Sequence, residues 1–258
     1  MDETYNQLNR AWKKTCGVLL GREVGELQEF EGYLKRYTDP IEKRTSVISG
    51  KEITISSNRL SKNTKVIGYN EINEYAKRDF KLDINKIKDI DSILEELNEN
   101  ICYAGDIVLG NSQNFLNSHR CMNTSYILGC QDVHDGKYTA YTTSIRNPEY
   151  SFGCCFGGDI QFCIKVLDPY KQTRCMETFH CNVVSDSYYS ASLEDCSGCL
   201  FSFNQKNKHN LIGNIQLEKN KFADLKSKLL SEIAETLEKK KTIPSVIEII
   251  SQKGDWIG

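Results

Sequence analysis

An internal repeat constrains this chain more than any other feature. Tyr103, Phe115, Tyr126, Tyr138, Tyr150, Phe162, Cys175, Tyr188 and Cys199 each stand at the start of a short β-like run, with successive separations of 12, 11, 12, 12, 12, 13, 13 and 11. Alternate members (Tyr103, Tyr126, Tyr150, Cys175, Cys199) lie 23, 24, 25 and 24 residues apart, which points to a unit of two half-repeats. Many runs alternate apolar residues, as in Tyr126, Leu128, Cys130, in Phe162, Ile164, Val166 and in Cys199, Phe201, Phe203. Period 2 is the mark of a strand, whose successive side chains point to opposite faces. Asn, Asp, Ser and Gly fill the intervals (LGNSQN, QDVHDGK, VVSDS), and these residues tolerate turns and positive φ.

Units of this size bury an apolar stripe only against their neighbours. The repeat therefore predicts a mainly β chain built around a parallel β-helix of about five coils over residues 101–215. An antiparallel β-meander of hairpin repeats is the alternative. Cysteine suits a narrow interior because it is small and readily buried. On this reading Phe162 lies inside, where an aspartate would place an unpaired charge in the core.

Composition divides the chain around the repeat. Residues 101–203 hold 10 of the 11 Cys and 8 of the 13 Tyr but only 6 of the 33 Lys and Arg, so charge is concentrated in the flanks. Residues 1–100 read as an α/β cap. Tyr5, Leu8, Trp12 and Cys16 recur at helical spacing, as do Val24, Leu27, Phe30, Leu34 and Tyr37, and SVISGKEITIS and TKVIGYNEI are β-branched runs suited to two strands. Residues 216–258 read as a helical region. There Phe222, Leu225, Leu229, Ile233 and Leu237 form one stripe of an amphipathic helix, and Pro244 separates it from VIEII. Such flanks would close the open strand edges at the ends of the solenoid.

FGCCFGGDIQFC (152–163), DCSGCLFSFNQKNKHNLIGNIQLEKNKF (195–222) and the opening WKKTCGVLLGREVGELQEFEGYLKRY resemble a family of archaeal and bacterial proteins built from Cys- and Tyr-rich repeats. Its repeats end in C-x-x-C, an aromatic-Asn-x-Lys/Arg-Asn-Lys element and a helix. The resemblance implies a repeat fold and brings no activity with it.

Chemistry is sparse. Cys196-x-x-Cys199 has the spacing of half a zinc site, but the available second pairs, His180 with Cys181 or Cys175 with Cys181, do not repeat it. The two cysteines therefore read first as repeat-core thiols, with zinc as the alternative and no cofactor expected. Adjacent Cys154 and Cys155 should face opposite ways, one into the core and one outward. Of four histidines, His119 and His134 lie in polar, turn-like stretches and read as solvated, while His180 flanks Cys181 on the opposite face of a strand. Asp132, Asp135, Asp159, Asp168, Asp186, Glu194 and Asp195 could line a solenoid face as carboxylates of a polymer-cleaving enzyme, but they occupy turns, where Asp has its own backbone reason to sit. No phosphate-binding, nucleophile-elbow or metalloprotease motif occurs. No residue is assigned a catalytic, cofactor-binding or metal-binding role.

A formal charge of −2 gives no basic field for nucleic acid, and no segment is apolar enough to span a membrane. The polar amino terminus shows no secretory leader, and 11 cysteines are an odd number for pairing, so the expectation is a cytoplasmic protein with reduced thiols. The functional expectation is a non-enzymatic scaffold or binding protein that presents its solenoid to a protein partner or to a second copy, with a zinc protein or an enzyme on an extended polymer as rivals. Trp12, Leu19, Leu20 and Phe30 at one end and Ile247, Ile249, Ile250, Trp256 and Ile257 at the other supply apolar residues for self-association.

Overall fold

The computed structural model describes residues 3–251 except 57–58, 79–82, 86, 159 and 168–169. Its centre is a parallel β-solenoid, as the repeat predicts, and its coil is half the expected unit. Hydrogen-bonded neighbours run Gln113, Ser125, Lys137, Glu149, Gln161, Thr173, Ser185, Ser197, His209, a step of 12 residues each time. The stack has about 8 turns in place of about five. The 24-residue recurrence in the sequence is two coils.

The coil bends on a period of three. Every third described residue from Asn114 to Gly213 has positive φ, near 50–60° at most positions, which gives four bends per coil and a four-sided cross-section. One left-handed residue between extended ones turns the chain sharply. Asn, Asp and Gly accept this conformation readily, but here Tyr126, Phe162, Lys165 and even Val183 adopt it as well. The residue after each bend faces the bore. Cys121, Ile127, Cys130 and Val133 form one buried cluster, and Ile145, Cys154, Cys163, Val166, Cys175, Cys181, Cys196 and Cys199 belong to the next.

Small residues suit this bore because the inner wall is backbone. Most inward thiols and hydroxyls donate to the carbonyl two residues back, as Ser190 Oγ does to Tyr188 O (2.9 Å) and Cys196 Sγ to Glu194 O (3.2 Å). The hydroxyls also accept from the amide 12 residues on, as Ser187 Oγ does from Cys199 N at 3.2 Å. A buried backbone group without a partner would cost about 1–3 kcal/mol, so these side chains contribute hydrogen bonds as well as volume.

Period 3 corrects the period-2 reading. Tyr126 sits at a bend, Leu128 faces outward and Cys130 faces inward. Phe162 is also at a bend, outside the bore. Its ring stacks on Tyr150, which stacks on Tyr138, which stacks on Tyr126, with centroids 5.1–5.4 Å apart. Cys154 and Cys155 do face opposite ways, but both are buried, because Cys155 is covered by Tyr37, whose carbonyl accepts from its thiol.

The flanks cover two of the four sides. Helix α1 (Glu3–Leu20) lies lengthwise across six successive strands of the stack. Its 18 residues at 1.5 Å rise measure about 27 Å, close to the ~24 Å between six rungs of a sheet. Leu8, Trp12, Cys16 and Leu19 share one apolar cluster with Ala140, Phe152, Ile164, Met176, Tyr188 and Leu200, one outward column of the solenoid. Each such side chain contributes roughly 1.5–3 kcal/mol when buried. Trp12, Leu19, Leu20 and Phe30, expected to be available to a second copy, are all at most 4% exposed, covered by their own chain.

Tyr37 follows helix α2 (Glu31–Leu34). Gly153 lets that segment come close, since φ is +71° and a Cβ there would meet the Leu34 carbonyl at 2.9 Å. Strands β1 (Ile41–Thr45) and β2 (Glu52–Ser56) form an antiparallel hairpin over the first coil, and β3 (Val66–Gly68) runs parallel to β4 (Tyr103–Gly105). Helices α3 (Ile72–Ala76) and α4 (Ile90–Asn100) link the two. At the other end Ile215–Gln216 turns back antiparallel on His209–Ile212. Helix α5 (Lys219–Lys240) then packs through Phe222, Ile233, Ala234 and Leu237, and α6 (Val246–Ser251) follows.

Candidate functional site

Two clefts of about 340 and 390 Å³ share Arg120, Asp132 and Ser144 and together form one trough. The shared residues are successive members of a bend column, each 12 residues from the next and each with φ between 54° and 57°. The left-handed bend points their side chains outward, at the corner between a covered side and an open one. Asp39, Ser56, Arg59 and Leu60 of the amino-terminal region form one bank with Tyr103, and His134 and Arg146 extend the trough along the open side.

Asp132 organises the floor. It accepts from Ser144 Oγ at 3.2 Å and lies 3.6 Å from both Arg120 and His134 Nε2. Among the described residues neither Arg59 nor Arg146 has a carboxylate within ion-pair distance. Guanidinium groups left unpaired around a concave surface are ready to take carboxylate or phosphate oxygens in bidentate fashion. Phe156, half-exposed, supplies an apolar wall. Ser144 donates to the aspartate, whereas a nucleophile must hand its proton to a neighbouring base such as His134.

His119 is no solvated loop residue. It is fully buried beneath the amino-terminal region, with Nε2 2.9 Å from Tyr103 Oη, and burial lowers its pKa to about 4. His134 is half-buried in the trough, and His180, beside Phe179, faces away from the inward Cys181. Cys196 and Cys199 face the bore, each donating to backbone carbonyls. Among the described residues no three His, Cys, Asp or Glu side chains come together as a metal cluster. All eleven cysteines are free and ten are buried, with burial pushing Cys181 and Cys199 up to about 11 and Cys154 and Cys175 to about 12. Of the seven carboxylates considered from sequence, Asp132 lies in the trough and Asp186 pairs with Arg174; Asp159 and Asp168 fall outside the described residues, as do Trp256 and Ile257.

One buried charged cluster had no sequence signal. Lys165 and Glu177, neighbours in a bend column, are 1% exposed and 3.2 Å apart. The Lys165 ammonium stands 4.1 Å from the centre of the Tyr33 ring, and Glu177 accepts from Tyr33 Oη (2.5 Å) and from the Val246 amide of α6 (3.2 Å). Burial pushes the pKa of Glu177 up and that of Lys165 down, and their mutual attraction opposes both shifts.

No described helix is long and apolar enough to cross a membrane. No protein-family model matches the chain, and no curated protein matches its sequence.

Proposed function

We propose that the chain is a binding protein that holds an extended, acidic segment of a protein partner in the Arg120–Asp132–Ser144 trough, without chemistry. The observation that carries this reading is the convergence of Arg59, Arg120 and Arg146 on one cleft whose floor also holds a carboxylate acceptor, Asp132. A peptide presents amide donors and carbonyl acceptors together with its carboxylates, so it matches a mixed lining. A pure polyanion would meet the aspartates unfavourably, and the overall charge of −2 gives it no general attraction.

The test is fluorescence anisotropy of the full chain with a labelled peptide alternating Glu and Ser, against one alternating Lys and Ser and against an oligogalacturonate. The Glu peptide should bind, more weakly as salt rises, and Arg120→Asn with Arg146→Glu should weaken it at least tenfold with an unchanged circular dichroism spectrum. Asparagine is chosen because position 120 has φ 55°. Equal binding of the Lys peptide, preference for the oligogalacturonate, or indifference to the two substitutions would refute the reading.

A further inference from the structure

A second cleft, separate from the trough, lies where α1, α5 and the solenoid diverge. It is open to solvent and offers about 630 Å³, within the range of about 300–1,000 Å³ that holds small molecules. The divergence has a cause in the packing of α5. Ile233, Ala234 and Leu237 seat the second half of the helix, while in the first half only Phe222 is buried, over Gly198. Between these two contacts Ala223 and Ser227 are too short to reach the solenoid, and a space opens.

The cleft has an apolar floor and a cationic rim. Val18 and Leu230 supply its exposed apolar surface, over the buried edges of Leu19, Leu20, Tyr188 and Phe222. Lys219 and Lys226 lie seven residues apart on α5, hence on one helix face, and both line the cleft. Among the described residues neither joins an ion pair, and the Lys226 ammonium contacts only the rings of Tyr188 and Phe222, at 5.3 and 6.0 Å from their centres. Among the described residues the only carboxylate in the lining, Asp186, is occupied by Arg174 in two hydrogen bonds of 2.7 and 2.6 Å. The first turn of α5 opens at the same end with lysines and no acid, and its N-cap Glu218 places no side-chain oxygen on the helix amides. A 22-residue helix carries partial positive charge there, which adds to that of the lysines.

We infer that this cleft binds a single-chain anionic amphiphile, a fatty-acid-like molecule whose chain lies along Val18, Leu230 and the edge of Phe222 and whose carboxylate meets Lys219, Lys226 and the start of α5. The charge distribution supports this occupant over a neutral one: beside the mutually neutralised Arg174 and Asp186, the lining carries two unpaired cations, Lys219 and Lys226.

Isothermal titration calorimetry of the full chain with dodecanoate, below its micelle concentration, tests the inference. One molecule should bind per chain. Dodecan-1-ol should bind at least tenfold more weakly, and Lys219→Glu with Lys226→Glu should weaken dodecanoate at least tenfold. Ala223→Trp, at an exposed position, should abolish binding by filling the cleft without changing the melting temperature. If Ala223→Trp misfolds, the charge-reversed variant carries the test alone. Equal affinity for the alcohol, saturation by many molecules per chain, indifference to these substitutions, or binding to phosphatidylglycerol vesicles but not to monomeric dodecanoate would each overturn it.

Discussion

Replacing Lys165 with methionine removes the charge while keeping an unbranched stem against the Tyr33 and Tyr37 rings, so the perturbation is electrostatic rather than a cavity. Glu177 is then a buried carboxylate without its cation. Its largest possible penalty is set by protonation, because the carboxyl takes up a proton once ionisation becomes the costlier choice. With an unfolded glutamate near pKa ~4.3 and about 1.4 kcal/mol per pH unit, the penalty tops out at about 3.7 kcal/mol at pH 7 and about 1 kcal/mol at pH 5. The sign follows from linkage: a carboxyl whose folded pKa is raised keeps its stability below the unfolded value and loses it as pH rises towards the folded value. Urea denaturation of wild type and Lys165→Met at pH 5, 6 and 7 should therefore show a deficit that grows with pH. Adding Glu177→Gln retains an acceptor for Tyr33 Oη but not one for both partners, so the double variant should lie about 1–3 kcal/mol below wild type at every pH. A deficit that is flat with pH, or below about 1 kcal/mol at pH 7, would refute the reasoning.

Three further outcomes follow from the bends and the bore. Val183 is a β-branched residue at φ 51° and is 43% exposed, so Val183→Asn should stabilise the protein by about 1 kcal/mol in urea denaturation. His119 is held near pKa 4, and a depressed pKa means stability that is complete above the unfolded value of about 6.5 and is lost as pH falls. Wild type should lose up to about 3 kcal/mol between pH 6.5 and 4, and His119→Gln should remove that slope. In the bore, Cys154→Ser should cost under about 1 kcal/mol because a hydroxyl can use the Phe152 and Cys163 carbonyls, whereas Cys154→Leu should cost about 1–3 kcal/mol by overpacking, both read from denaturation midpoints.

The parallel solenoid and the burial of its cysteines were legible in the sequence, because a 12-residue recurrence of turn formers and small apolar residues has few other physical explanations. The period inside the coil was not. Tyr126, Leu128 and Cys130 are all apolar for different reasons, one stacking at a bend, one facing α1 and one lining the bore, and together they imitate a strand's alternation. A solenoid with two covered sides hides its inward column in this way. The trough was equally hidden, since Arg59 and Asp39 meet Arg120 and Asp132 only through the docking of the amino-terminal hairpin. What the sequence did offer was the 12-residue ladder Arg120, Asp132, Ser144, visible once the coil length is known.

The grid of bends also limits how a gene for this chain can change length. An insertion of 12 codons adds a coil and leaves each later side chain in its former surroundings. An insertion of three preserves the bore yet shifts every later residue to the next side of the coil, exchanging solvent-facing lysines and glutamates for the column beneath α1. Insertions of one or two put outward residues into the bore. Since α1 spans six rungs and α5 and α6 pack on the last ones, an added coil must also be matched along these helices, and relatives of this chain should differ in solenoid length by multiples of 12.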